Sequence, residues 1–341
     1  MPRETGIDLR LCKLCVLPET FPGISFDQEG VCNHCRREEA ALKRAHAKKA
    51  DYRERLEDLI REIRGRAPSY DAVMAYSGGK DSSYSMKLLK ERYDLRILAL
   101  TFDNHFVSPV AWKNIRTVTD ALQVDHISFS LPWPVAKDIF SLTARKDIFP
   151  APTLLRASAI CTACIGIVKS IALKTALEMN IPLVAFGWSP GQAPIQSAIM
   201  KTNPALMQQN QNALRKAFAN KISADLYSCF IPRSYYVDYK ERFPYNIHPL
   251  AFFDYDEERI KAEMEGIGWK TPADTDTNST NCQLNAFANQ CHIERHQFHP
   301  YVWEIANMVR QGVMDREEGI EKIYSDQNAE MVKYAKEKLG L

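Results

Sequence analysis

Between residues 67 and 195 the chain alternates short apolar runs with longer mixed stretches. The run Ala72-Val73-Met74-Ala75-Tyr76 has the pattern of a buried strand, and residues 84–93 read as a helix after a glycine-rich turn. Residues 96–102 form a second apolar run ending at Asp103-Asn104. Residues 110–122 then read as a helix, 124–131 as a strand, 164–179 as a helix and 181–186 as a further strand ending in Gly187. Strand-length runs separated by helix-length stretches predict an open parallel sheet with helices on both faces. Ligands on such sheets bind outside the carboxyl ends of the strands. The turns after Tyr76, Phe102 and Phe186 are therefore expected to line one crevice.

The flanks follow other patterns. Residues 36–66 are a charged helical stretch with about eleven basic and seven acidic residues, and Leu56, Leu59, Ile60 and Ile63 make one apolar stripe. This predicts a solvated connecting helix. Residues 196–250 are rich in Asn and Gln and then in aromatics (Tyr227, Phe230, Tyr235, Tyr236, Tyr239, Phe243, Tyr245), with Arg233, Lys240 and Arg242 interleaved. They fit either a lid or partner surface, or a helical pair that packs its rings into a core. The expected division is a metal-binding module over 1–40, a helical linker over 41–66, an α/β domain over 67–195 and a mostly helical region over 196–341.

With 341 residues, 45% of them apolar, the chain can bury a real core, and a formal net charge of +2 does not by itself call for nucleic acid or anionic lipid. There is no run of 18 apolar residues, and MPRETGIDLR lacks the apolar centre of a signal peptide. The expectation is a cytoplasmic protein with no membrane partner. Nine cysteines in such a chain point to metal ligation or catalysis rather than disulfides.

The candidate chemistry sits at three places. In Ser77-Gly78-Gly79-Lys80-Asp81-Ser82-Ser83 the glycines let backbone N–H groups approach a phosphate at a helix N-terminus, Lys80 offers a point charge, and the serines offer hydroxyls. The spacing is not that of a Walker A loop. Cys12-x-x-Cys15 and Cys32-x-x-Cys35 have the separation of a four-thiolate zinc site, in a segment too short to fold without such a staple. Cys161-Thr162-Ala163-Cys164 precedes a helix, whose N-terminus is expected to lower the thiol pKa values, and Cys282 stands alone in NSTNCQLN. A redox pair, core packing, or a second zinc site with Cys291, His292 or His296 are the alternatives for these cysteines. His292, His296 and His299 could share a helix face as a metal or substrate site.

The stretch SGGKDSS after a buried strand resembles the SGGxDS signature of the PP-loop ATP pyrophosphatases, of the HUP or Rossmann-like class, which cleave ATP between the α and β phosphates and transfer AMP to a substrate oxygen. The resemblance implies ATP and Mg²⁺ on Ser77, Gly78, Gly79, Lys80, Asp81, Ser82 and Ser83, with Phe102, Asp103 and Gly187 around the nucleotide and Lys80, Asp81 and Ser82 in catalysis. The segment CKLCVLPETFPGISFDQEGVCNHC resembles the start of the N-acetyl sugar amidotransferases of this superfamily, as do the turn Gly187-Trp188-Ser189-Pro190-Gly191-Gln192 and the stretches 252–270 and 308–323. Those enzymes take ammonia from a separate glutaminase. The CxxC before a helix plus one distant cysteine instead resembles the iron–sulfur-dependent tRNA thiolation enzymes, which implies a 4Fe–4S cluster on Cys161, Cys164 and Cys282. The turn after Gly187 lacks the carboxylate usual in those enzymes, leaving Asp81 and Asp103 as the nearest acidic groups.

The expected function is adenylation of a substrate oxygen with release of pyrophosphate, then its replacement by sulfur delivered through the cluster. Amidation of an N-acetyl sugar and a non-enzymatic nucleotide-binding scaffold are the alternatives. The expected partners are ATP, an acceptor, a sulfur donor or glutaminase subunit, tRNA if the acceptor is a base, and a second copy in a homodimer.

Overall fold

The computed structural model describes residues 9–218 and 228–341. In chain order the helices are α1 (Asn33–Ala47), α2 (Lys49–Ile63), α3 (Lys80–Glu91), α4 (Pro109–Leu122), α5 (Trp133–Arg145), α6 (Ala151–Leu154), α7 (Ala159–Glu178), α8 (Pro204–Phe218) and α9 (Tyr235–Asp238), then α10 (Glu257–Glu265), α11 (Asn285–His296), α12 (Val302–Arg310), α13 (Arg316–Tyr324) and α14 (Ala329–Leu339). The strands are β1 (Ala72–Ala75), β2 (Ile97–Asp103), β3 (Asp125–Ser130), β4 (Leu183–Phe186), β5 (Ile199–Lys201) and β6 (Tyr245–Ile247).

The strands form one sheet in the order β3-β2-β1-β4-β6-β5, parallel except for the β5 edge. Ala75 is in register with Leu100 on one side and Phe186 on the other. The chain order reverses at β1, so the crevice beyond β1 and β4 is a topological switch point. Alternate strand residues face two cores. Ala72, Met74, Ala99 and Ala185 pack with α2 and the cysteine knuckles, and Val73, Leu98, Leu100 and Val184 pack with α5 and α7. The apolar helix α7 has the length and hydropathy of a membrane span, but half of that window is buried against the sheet. A helix apolar all round is what a central layer needs.

Three expectations change. The 196–341 region is not only helical, because β5 and β6 complete the sheet. Residues 36–66 form two helices broken at Lys48, and the second is no solvated connector, since Leu56, Leu59, Ile60 and Ile63 are buried in the core. The helix over the central cysteines begins at Ala159, capped by the Ser158 side chain, so both cysteines lie within its first two turns. In the aromatic stretch Phe230 and Phe243 are buried, which fits core packing rather than an open lid, and Tyr227 lies outside the described residues.

Asp71, 1% exposed, ties the starts of β1 and β2 together. It accepts from Gly65 N, Arg96 N and the Arg96 guanidinium. Burial pushes its carboxyl up, but these donors outweigh burial and hold it below the usual range. The stabilisation is present above the unfolded carboxyl pKa and is lost as pH falls through the lowered native one. Asp71→Ala should cost about 1–3 kcal/mol in urea unfolding at pH 7, and much less in acid.

Candidate functional site

The turn after β1 is shaped by close backbone approach. Gly78 has φ +77°, and a Cβ there would lie 2.7 Å from Ala111 O; its carbonyl accepts from the buried Trp269 indole at 2.9 Å. Gly79 caps α3 without any side-chain cap bond. Ser82 Oγ bonds Gly79 O at 3.0 Å and Ser77 Oγ at 3.1 Å. A Cβ on Gly187 would overlap Ser82 Cα and lie 2.7 Å from Ser82 N, so the β4 turn rests directly on the first turn of α3. Only glycine fits there.

A third segment covers this corner. Lys80 N donates to Thr280 Oγ1 at 3.1 Å, and Thr280 Oγ1 is also what a Cβ on Gly79 would meet, at 2.9 Å. The segment is fixed to the loop after β2 by Ser108 N to Asn281 O, Gln283 N to Phe106 O and a bridge between Val107 and Cys282.

The crevice, about 230 Å³, is lined by Ser77, Gly79, Lys80, Asp81, Ser82, Gly187 and the 277–281 segment, and by Tyr255, Glu257, Tyr301, Glu304 and Lys322. Lys80 Nζ donates to Asp81 Oδ1 at 2.9 Å and to Tyr255 OH at 2.8 Å, with Glu257 at 3.8 Å. Burial pulls its pKa down, but Asp81 and Glu257 outweigh that and raise it, so the ammonium is held charged. Glu304 accepts from Ser189 Oγ at 2.6 Å. Burial, offset by Ser189, pushes its carboxyl up to about 7. The carboxyl missing from the turn after β4 is thus supplied by α12 through Ser189, and Asp81 is joined by Glu257 and Glu304 rather than by Asp103. Asp103 instead accepts from His105 N, and Phe102 is buried beside Phe129; neither lines the crevice.

The central cysteines converge. Asn104 Nδ2 lies 3.5 Å from Cys282 Sγ and 3.8 Å from Cys164 Sγ, and Asn285 Nδ2 reaches Cys161 Sγ at 4.0 Å and Tyr301 OH at 2.9 Å. Contrary to the lowering expected at a helix N-terminus, burial pushes Cys161 up to about 11 and raises Cys164 and Cys282, with neighbouring thiols adding to it for Cys161 and Cys164. Desolvation outweighs the dipole, and thiolates form there only against a bound cation. Among the described residues these three sulfurs are not gathered into a compact single-ion group. A larger group that spans them, its sulfurs facing two amide donors, fits this donor set.

The N-terminal cysteines are different. Cys12, Cys15, Cys32 and Cys35 have Sγ atoms all within 4.8 Å, with pairs at 3.8 and 3.9 Å, and all four are buried. A tetrahedral ion with metal–sulfur bonds of about 2.3 Å needs sulfurs about 3.8 Å apart, so the four fit one closed ion. Arg310 donates to Cys15 Sγ, and Arg316 to Cys12 O and Cys15 O. His34 packs outside, against Phe21 and Trp303. His292, His296 and His299 form no metal group among the described residues; His292 packs on His296 and Phe298, and burial lowers both His292 and His299 to about 3.

Glu304, Tyr301 and Asn104 carried no sequence signal of a site role, and Tyr255 and Glu257, although inside the 252–270 stretch, had no role assigned to them there. Thr280, Asn281 and Asn285 were inside NSTNCQLN but had no role until the segment was seen to fold over the phosphate turn.

No family model matches the chain. It is 20% identical over 308 residues to an uncharacterized protein of Methanocaldococcus jannaschii, covering 90% of each. Among solved structures it is similar to the U34-tRNA thiolase NcsA of Methanococcus maripaludis with its 4Fe–4S cluster (17% identity, TM-score 0.36, covering 98% of this chain and 99% of that one). It is also similar to a predicted subunit of tRNA methyltransferase of Methanocaldococcus jannaschii (15%, TM-score 0.32, covering 68% and 90%). Superpositions this loose say nothing about chemistry, which has to come from the site itself.

Two outcomes are expected here. Gly187→Ala should destabilise the fold measurably in urea unfolding, because the clash is with the Ser82 backbone and no side chain can move aside. Glu304, near 7 when folded against 4.5 as its ordinary value, keeps a proton that the unfolded chain has released. Stability should therefore fall as pH rises from 4.5 to 7, by about 1–3 kcal/mol, and Glu304→Gln should remove that slope in chemical denaturation.

Proposed function

We infer that the chain is a PP-loop ATP pyrophosphatase-type enzyme that adenylates an acceptor oxygen and replaces it with sulfide-level sulfur, the oxygen departing with AMP. The observation that supports it most is the convergence of Cys161, Cys164 and Cys282 beside the phosphate turn, with Cys282 two residues beyond Thr280, which bonds Lys80 N. ATP would lie on residues 77–83, and Asp81 would help to hold a Mg²⁺ that neutralises phosphate charge. Lys80 and the loop amides stabilise charge on the departing pyrophosphate. The amide-type acceptor oxygen attacks the α-phosphorus, the bond to pyrophosphate breaks, and Glu304 takes the acceptor's N–H proton. A 4Fe–4S cluster on the three central thiolates, when bound, offers one open iron for a sulfur atom. Asn104 and Asn285 orient the thiols that would hold it. The N-terminal four-thiolate site is read as structural zinc. All nine cysteines are free thiols, which suits a reducing compartment such as the cytoplasm. The acceptor class is a tRNA base, from the resemblance of the three-cysteine pattern. The N-acetyl sugar is the competing class, favoured by the N-terminal knuckles and the 252–270 and 308–323 stretches.

Anaerobic purification should give about four irons and four sulfides per chain, and about one zinc. Cys161→Ala should lose the iron and keep the zinc. Zinc alone in the wild type sinks the sulfur reading and leaves the amidotransferase one. With total tRNA as acceptor, pyrophosphate release should rise as pH passes 7, and Glu304→Gln should remove that limb and slow release roughly 10²–10⁴-fold.

A further inference from the structure

A second cavity, of about 680 Å³, lies along α7 between the 148–157 segment and α12. Trp188, Gln192 and Glu304 line both this cavity and the nucleotide crevice, so the two meet at the Glu304 wall. Its volume suits an organic substrate, and Ile148, Phe149, Ile165 and Leu214 make much of it apolar. Two cations, Lys169 and Arg156, also line it.

Neither cation is neutralised. Among the described residues no carboxylate pairs with Lys169 or Arg156. The Lys169 Nζ sits 4.3 Å from the centre of the Trp188 ring, whose plane stacks on His248 at 4.5 Å. Burial, with nothing to offset it, lowers the amine to about 8. His248 is itself held neutral, lowered to about 4 by burial and by Lys169, so it adds no second positive charge beside the ammonium. The sole carboxyl on the wall is that of Glu304, already bonded to Ser189. An unpaired ammonium in an apolar wall is costly until an anion joins it. A phosphate, which keeps at least one negative charge and two acceptor oxygens even as a diester, matches an ammonium plus a guanidinium.

We propose that this cavity is the acceptor site, and that it takes an acceptor bearing a phosphate group, which sits on Lys169 and Arg156 while the reacting oxygen lies at the Glu304 wall. The assignment rests on the reading of the neighbouring crevice as an ATP site. The phosphate could come from a polynucleotide backbone or from a nucleotide-linked sugar, and both supply the same chemistry to the two cations.

The test is residue-resolved acetylation of Lys169 at pH 8, with the crevice first saturated by α,β-methylene-ATP. Total tRNA and UDP-N-acetylglucosamine are the phosphate-bearing probes, and uridine is the phosphate-free control. At least one phosphate-bearing probe should slow Lys169 acetylation tenfold or more, with tRNA marking a polynucleotide source and the UDP-sugar a metabolite source. Uridine should leave it unchanged. Lys169→Met and the surface change Arg156→Ala should each weaken that probe's Kd at least tenfold. Failure of both phosphate-bearing probes to protect, equal protection by uridine, or unchanged affinity in Arg156→Ala overturns the assignment. Failure of the ATP analogue to bind the wild type would instead strike the underlying reading of the crevice.

Discussion

The site depends on how closely two strand ends approach. The β4 turn touches the first turn of α3 through Gly187 and Ser82, and the β1 turn touches α4 through Gly78 and Ala111. Any side chain at either glycine would separate elements that together form the floor of the crevice. The parallel register of β1 with β4 brings both turns to the same height, and two bare backbones then close the gap. With that gap closed, Thr280 can reach Lys80 N, and the 276–284 segment can lie across the corner. The third cysteine is brought in by that segment. The position of Cys282 is therefore a consequence of the glycine contacts and of the pairing between Val107 and Cys282.

The N-terminal module acts on the same site from the other side. Arg310 and Arg316 bind the knuckles, Tyr324 OH donates to Val16 O, and Phe21 stacks on Trp303. Trp303, Glu304 and Arg310 belong to one helix, α12. Its backbone also meets Gly191, where a Cβ would lie 2.7 Å from Met308 Cγ, and Asn307 donates to Gly191 O. The fold of the four-cysteine knuckles thus fixes the helix that presents Glu304 to the crevice. Knuckles far from the turn after β1 in sequence help to position a carboxyl beside it.

Much of the fold was legible because it is local. The β1, β2 and β4 runs are continuous apolar segments of strand length, β3 (DHISFS) alternates polar and apolar residues, and the turn after β1 is marked by its glycines and serines. Beyond residue 195 the strands were not legible: β5 and β6 have three residues each, too few for a pattern. Zinc-type spacing was visible at the knuckles because cysteines three apart in each of two pairs carry their own geometry. The thiol environment at Cys161 was misread, since the helix dipole is a local property and desolvation is a tertiary one. Glu304 could not be found at all, because a lone Glu on an amphipathic helix ordinarily faces water.

The displaced carboxyl changes how the crevice handles charge. Lys80 and Lys322 face Asp81, Glu257 and Glu304, and Lys80 and Lys322 both pair with Glu257. With Glu304 protonated, two cations balance two carboxylates. With it ionised, the pocket carries one excess negative charge. A carboxyl in open water would be ionised throughout the neutral range. Set on α12 and desolvated against Ser189, Glu304 instead titrates near neutrality, so the net charge of the crevice changes within that range.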